Sequence, residues 1–335
     1  MDLRKFLLLA FLTLMGTLVS AQPSITESAY VGQLNLNGGF PEKLLSTRTA
    51  VFHSVALTEA ELNSMQDYFQ RTGIDAVAYF PFDLLTSGKD AATGFHAFLV
   101  KREITNLVFA EKRDGMFRLT ITVFDKGKDG KIIEANQPAW SISDRVLVEA
   151  LKNLNRSALA TLQRKNLLIN DFPETDLTID VVRGKRNEFY AVDMKVDLVG
   201  VQKFGIDSLD AQLERIFQTH FPFAYKMVEP GVSEREMRKQ GMLYTLCFMH
   251  ARADAVRDLL GYPMRQSESA FVSITYSGDQ QQAKTISGNR PVFKVYFKHI
   301  DSGNVFLGTK WDADLTWQQA LINNIRAMKA ELRLN

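Results

Sequence analysis

The sequence predicts an α+β protein built from two related modules in tandem, each with a mixed sheet covered by helices. The expected order in each is strand, helix, strand, helix, three strands, helix. Three observations predict this. Stretches with period-two apolar patterning alternate with stretches of period 3.6, the signatures of half-buried strands and amphipathic helices. A block starting at Phe117 returns at Phe293: in both, Asp follows eight residues later (Asp125, Asp301) and Gly two further on (Gly127, Gly303). Each block then reaches a Trp (Trp140, Trp311) and an apolar-faced helical run ending near Arg156 or Arg326.

The elements follow in chain order. Residues 1–21 have the make-up of a cleaved export signal: Arg4 and Lys5, then apolar residues from Phe6 to Met15, then Val19-Ser20-Ala21. The apolar run is short for a membrane span, which needs roughly 20 residues, and no Cys follows it to carry a lipid anchor. The mature chain is expected to start at Gln22, in the periplasm or outside the cell, with no integral span. Residues 22–44, with Gly38-Gly39 and Pro41, read as a polar arm.

In the first module, 45–170, strands are expected at Ala50–Val55, Ala76–Phe80, Asn106–Ala110, Phe117–Val123 and Lys131–Ala135. Thr58 and Glu61 have capping-box spacing and open a helix through Gln70. A second helix is expected around Ala91 to Arg102, and Leu147, Leu151, Leu154, Ala158 and Leu162 mark the apolar face of a third. Asp171 and Pro173 break the pattern at the joint, 170–175.

The second module, 176–335, repeats the order. It has an alternating run at Phe189–Val199, a helix at Ser208–Gln218, a strand at Phe223–Tyr225, and a longer helix over Glu234–Leu260 stopped by Gly261 and Pro263. Phe271–Tyr276 is then expected to pair, across a polar hairpin, with a strand from Phe293, and a strand at Asn304–Gly308 follows. The closing helix carries Trp317, Leu321, Ile325, Met328 and Leu332. The offset between copies is 148 at Phe69 and Phe217, 147 at Gly94 and Gly241, 176 at the Phe pair, 171 at the Trp pair and 170 at the Arg pair. The second copy therefore gains about 29 residues between Gly241 and Phe293.

Composition limits the function classes. The chain has 335 residues, which suits about two domains at ~150 residues each. With 46% apolar residues, 23% charged residues and 23 Phe, it is globular. A net charge of +2 spread along the chain argues against nucleic acid or an anionic membrane as partner. Cys247 is the only cysteine, so no intramolecular disulfide forms, and its apolar run suits a buried thiol.

The search for chemistry assigns no catalytic, cofactor or metal residue. His53, His96, His220, His250 and His299 include no pair at i, i+4. Asp125 to Gly130 is faintly similar to a calcium loop but lacks the third acidic ligand and the terminal Glu. No nucleophile elbow, phosphate loop or dinucleotide fingerprint occurs. Asp207 with Asp210, and Asp312 with Asp314, are expected at helix starts, where they complement the dipole.

The hairpin blocks Phe117–Ala160 and Phe293–Met328, with the order of elements around them, resemble the TolB amino-terminal domain and the periplasmic domain of the curli-secretion channel subunit. The resemblance implies a non-catalytic piece of a bacterial envelope assembly, with other envelope proteins as partners. The chain departs from it in having no lipidation Cys and no pore-building insertion. The expected function is an exported, non-enzymatic binding or scaffolding module. The alternatives are an exported carbohydrate-active hydrolase with carboxylates between the modules, and a component of a secretion or motility machine. Two carboxyls 5–10 Å apart in a pocket would favour the hydrolase; an apolar groove without convergent ionisable groups would favour the binder.

Overall fold

The structure is a computed structural model that describes residues 26–334 except 125, 128, 129, 176, 266 and 279. Residues 1–21, expected to be an export signal, and Asp125 and Asp129 lie outside the described residues. The fold is α+β, as expected, with two mixed sheets. Among the described residues no helix is long and apolar enough to cross a membrane.

The first half contains α1 (Glu27–Val31), β1 (Arg48–His53), α2 (Glu59–Thr72), β2 (Asp75–Pro81), α3 (Phe82–Leu85), α4 (Lys89–Lys101), β3 (Asn106–Arg113), β4 (Met116–Val123), β5 (Ala139–Asp144) and α5 (Leu147–Thr161). Its sheet runs β2-β1-β3-β4-β5, with β1 parallel to β2 and β3, and the other neighbours antiparallel. The capping box forms: Thr58 Oγ1 accepts from Glu61 N at 3.3 Å while the Glu61 carboxylate accepts from Thr58 N at 2.8 Å. One face of the sheet, with Val51, Val108, Leu119 and Ile121, buries against Met65 and Phe69 of α2 and Leu151 and Leu154 of α5. The other, with Phe52, Phe80 and Phe109, buries against Phe95 and Leu99 of α4.

The second half contains β6 (Arg186–Asn187), β7 (Leu198–Gln202), α6 (Asp207–His220), β8 (Tyr225–Val228), α7 (Glu234–Lys239), β9 (Met242–Arg252), α8 (Ala253–Leu259), β10 (Ala270–Ser277), β11 (Gln280–Ser287), β12 (Pro291–His299), β13 (Val305–Phe306) and α9 (Trp317–Glu331). Its sheet runs β6-β13-β12-β9-β7-β8; β10 pairs not with β12, as expected, but with β11, a strand in the stretch read as the polar hairpin, and the two stand as a separate hairpin. Without β6, strand order and directions match those of the first sheet. α2 and α6 are both 14 residues and start 148 positions apart; α5 and α9 are both 15 and start 170 apart. Phe217, Trp317, Leu321 and Ile325 cover Val201, Leu246, Phe293 and Val295 on one face.

The opposite face of the second sheet turns toward the first half. Met249, Ala251 and Tyr296 share one core with Phe52, Phe80 and Phe95, so α4 serves both halves. The connecting segment lies against α4 at Gly94, where a Cβ would come 2.6 Å from Asp180 O. The two halves are packed into one another rather than strung on a linker.

Several expectations are corrected. The helix over Glu234–Leu260 is a short helix, a strand and a second short helix. Tyr244, Thr245, Cys247 and Phe248 suit a pleated, half-buried surface, and Gly241 at φ +86° ends α7. Gly94 lies inside α4, so it is no counterpart of Gly241. Lys131–Ala135 is not a strand: Ile132 and Ile133 are both buried, which neighbouring residues of a one-sided strand cannot be. Lys131 instead pairs with Glu134 at 3.1 Å across a turn. The third strand of the hairpin block is β5, which contains Trp140. Phe189–Val199 is extended only from Leu198, and Phe189 is 66% exposed. The arm carries α1 and buries Val31, Leu34 and Leu44. The Trp residues are not equivalent: Trp140 stacks on Phe40 at 4.3 Å, whereas Trp311 lies in the loop after β13 against Tyr262.

Candidate functional site

β12 alternates sharply. Phe293, Val295 and Phe297 face α6 and α9, which leaves Lys294, Tyr296 and Lys298 on the opposite, buried face. Ammonium groups there need partners, because an unpaired buried charge costs several kcal/mol.

Lys298 finds them in both halves. Its Nζ contacts Asp90, in the first turn of α4, and Glu234, in the first turn of α7, at 2.6 Å. Tyr296 donates from Oη to the other Asp90 oxygen at 2.8 Å. Gly88 lets α4 start this close to β9, since a Cβ there would lie 2.6 Å from Phe248 O. Burial works against the Lys298 charge, yet the Asp90 and Glu234 carboxylates hold its pKa above the ordinary lysine value. Burial, with Asp90 nearby, pushes the Cys247 thiol well up, so it stays protonated. Burial lowers His250 to about 4 despite Asp83, and leaves it neutral.

Around this network is a cavity of about 400 Å³ between the halves. It exists because β7 pairs with β9 only as far as Thr245. From Leu246 the edge of β9 is open, and the α3–α4 loop comes up to it, with His250 N donating to Ser87 O at 2.6 Å. Phe204, Met237, Leu246, Phe248 and Phe293 form the apolar wall; Asp90, Lys298 and Glu234 line the polar end. A second cavity of about 260 Å³ shares Lys89, Asp90, Glu234 and Lys298 with the first. Both carboxylates touch one ammonium, which puts them within about 5 Å of each other, close to the spacing of a retaining glycosidase pair.

Lys294 belongs to a different cluster. Its side chain is 0% exposed and that of Asp312 is 1% exposed; Nζ donates to Asp312 Oδ1 at 2.5 Å, Leu307 O at 2.9 Å and Val295 O at 3.0 Å. Asn324 donates to Asp312 Oδ2 at 3.1 Å and to Val295 O at 3.0 Å. The cluster has a structural cause. β13 pairs with β12 only at Phe297 and Lys298, and the chain rejoins at a single bridge between Phe293 and Asp314. Buried carbonyls left by the open ladder are satisfied by side chains instead.

The residues considered from sequence scatter. His53 ends β1, His96 lies on α4 against Phe124, His220 ends α6, and His299 ends β12 beside Ser302. Only His250, stacked on Phe293 at 4.1 Å, reaches the cleft. Among the described residues no group of three His, Cys, Asp or Glu is placed to hold a metal ion. Asp210 accepts from Phe204 N at 2.7 Å and Gly205 N at 3.2 Å, tying down the entry to α6. Asp312 and Asp314 are not at a helix start: α9 begins at Trp317, and Asp314 pairs with Lys284 at 2.8 Å. Asp90, Glu234 and Lys298 were not anticipated, since no spacing links residues from three elements. The available signal was Lys294 and Lys298 on one face of a strand otherwise filled with Phe, Val and Tyr.

No protein-family model matches the chain, and no curated protein matches it.

Proposed function

We propose that the chain is an exported bacterial cell-envelope protein that works by binding, with the cleft between its halves as the binding element. We propose also that the halves arose by duplication of one module, which the equal strand orders and matched helix lengths support. The leader supports export. The observation that carries the binding reading is the commitment of the charges in the cleft. Asp90 uses one oxygen on Lys298 and the other on Tyr296, and Glu234 shares the same ammonium. A general acid or base needs a carboxyl within reach of the substrate proton, and a nucleophilic cysteine needs its thiolate. The apolar wall with a few polar groups at one end suits a ligand site.

One observation favours a second reading, carbohydrate hydrolysis: the close approach of Asp90 and Glu234. The two readings part under mutation. A chain starting at Gln22, incubated with envelope extract, should retain an occupant that Thr86→Trp, which enlarges a side chain of the cleft lining, excludes. Equal retention by that variant would overturn the binding reading. Turnover of envelope glycans abolished by Asp90→Asn would establish the hydrolase in its place. Intact mass of the chain recovered from the envelope fraction, expected to begin at Gln22, tests the compartment.

A further inference from the structure

The smaller cavity is polar. Thr93, Arg183, Asp301 and Ser302 line it beyond the shared wall of Lys89, Asp90, Glu234 and Lys298. Its geometry is fixed by the segment that crosses from one half to the other. Gly184 N donates to Gly303 O at 3.1 Å and Lys185 N to Asn304 Oδ1 at 2.7 Å, so the backbone beside Arg183 is pinned on the β12–β13 turn. A Cβ at Gly184 would come 2.5 Å from Asn304 N, so only glycine permits this approach. Lys89 enters from the opposite side as the first residue of α4, a 13-residue helix whose N-cap, Gly88, has no side chain to cap it.

The charges around the two cavities do not cancel once their partners are assigned. Lys298 is shared by Asp90 and Glu234, Asp301 pairs with Arg238 at 2.7 Å, and Lys203 pairs with Glu229 at 2.5 Å. That accounts for every carboxylate lining either cavity. Lys89 and Arg183 are exposed, and no carboxylate among the described residues pairs with either. The single Lys298 ammonium balances only one of the two carboxylates it holds, so with Lys89 and Arg183 the two chambers carry a net charge of +1, and both unpaired cations flank the polar chamber. The positive end of the α4 dipole adds to them.

We infer that the cleft takes a single-chain amphiphile with an anionic head, a carboxylate or a phosphate, whose apolar chain lies along Phe204, Leu246 and Phe248 and whose head is held by Lys89 and Arg183. The inference rests on the binding reading of the same cleft and adds the ligand class. Guanidinium offers a forked donor pair to either head group, and the ammonium adds a point charge. A cationic amphiphile meets two like charges at the same place. A neutral one gains only the apolar wall. Lys89 lines both chambers, and the already paired Lys298 stands beside the head without being consumed by the ligand.

The test is calorimetric titration of the chain starting at Gln22 with dodecanoate, dodecyl phosphate, dodecylammonium and dodecanol, each below its micelle concentration. Dodecanoate or dodecyl phosphate should bind saturably and at least about tenfold more tightly than dodecanol, with dodecylammonium weakest. The double variant Lys89→Gln/Arg183→Gln should lose about that factor for the anions and leave dodecanol unchanged, the scale expected of two exposed charge-assisted contacts. The order of the two anions identifies the head group. Equal affinity for all four, or a double variant that binds the anions as the native chain does, overturns the anionic-head inference while leaving the binding cleft intact. Silence from all four probes overturns the inference, and a partner excluded by Thr86→Trp in that case would show that the cleft binds something of another class.

Discussion

Lys294→Met tests whether the buried ammonium is a structural member of the second sheet. Methionine preserves the length of the side chain and removes its three donors. Val295 O keeps Asn324, but Leu307 O loses its side-chain donor at 2.9 Å, and Asp312 loses its counter-charge at 2.5 Å. An orphaned buried carbonyl costs about 1–3 kcal/mol, and breaking one side of a buried pair costs about 3–5 kcal/mol. These overlap, because Asp312 retains Asn324, so the expected loss is about 3–5 kcal/mol in urea unfolding at unchanged slope. The pH dependence has a definite sign. Burial pushes the Asp312 pKa up, and without Lys294 that push is unopposed by a cation. A carboxyl with a raised folded pKa binds its proton more readily when folded, so its contribution falls as pH rises above the unfolded value. The deficit of Lys294→Met should therefore be smaller at pH 5 than at pH 8. Adding Asp312→Leu should recover most of the loss, since an apolar replacement of a whole buried pair is often neutral or better. A loss below about 1 kcal/mol, or a second substitution that simply adds to the first, would refute the argument.

Other outcomes follow from burial and close approach. Trp317→Ala should cost about 3–5 kcal/mol, because the ring is fully buried against Phe204 and Phe248; Trp140→Ala, half-buried on Phe40, should cost roughly 1–2 kcal/mol. Gly94→Ala should destabilise although alanine is the better helix former by about 1 kcal/mol, since its Cβ would press on Asp180 O; a higher melting temperature for this variant would remove the claimed contact between connector and helix. Burial raises Glu27 to about 7, with Asp83 and Glu111 adding to it and a Ser54 hydrogen bond opposing. The folded chain then holds a proton that the unfolded chain releases, so stability should decline by about 1–2 kcal/mol from pH 4.5 to pH 7, after discounting for partial exposure. Glu27→Gln should flatten that slope relative to the native chain, and an unchanged slope would remove Glu27 as its source.

What the sequence made legible is what one periodic pattern decides. α2, α5, α6 and α9 have one-sided apolar faces, so their apolar stripes and their matching order in the two halves are readable from the sequence. The elements misread are those where two patterns compete. The Met242–Arg252 strand is apolar on both faces, because one side packs on α6 and α9 and the other on the first half, and a two-sided apolar run does not distinguish strand from helix. Ile132 and Ile133 plug the core from a loop, which no period announces. The cleft was illegible for a different reason: Asp90 and Lys298 are 208 positions apart, and each looks like an ordinary surface charge until the halves are packed.

The cleft also explains why two similar modules need not be interchangeable. In the first half, β1 pairs with β3 along five positions and the 13-residue α4 covers the sheet beside them. In the second, the matching ladder of β7 and β9 ends after three pairs, and α7 has only six residues. Both shortenings open the same region. The exposed face is taken over by the first half's α4, which supplies Asp90, while the short α7 supplies Glu234 from the other rim. Lys298 lies between them and fastens the two halves at the point where neither closes the sheet by itself. Had the second half kept a full-length ladder and helix, backbone and side chains would fill the space that the cavity occupies. The cleft is thus a product of the difference between the halves, and substitutions that make the second half more like the first should close it.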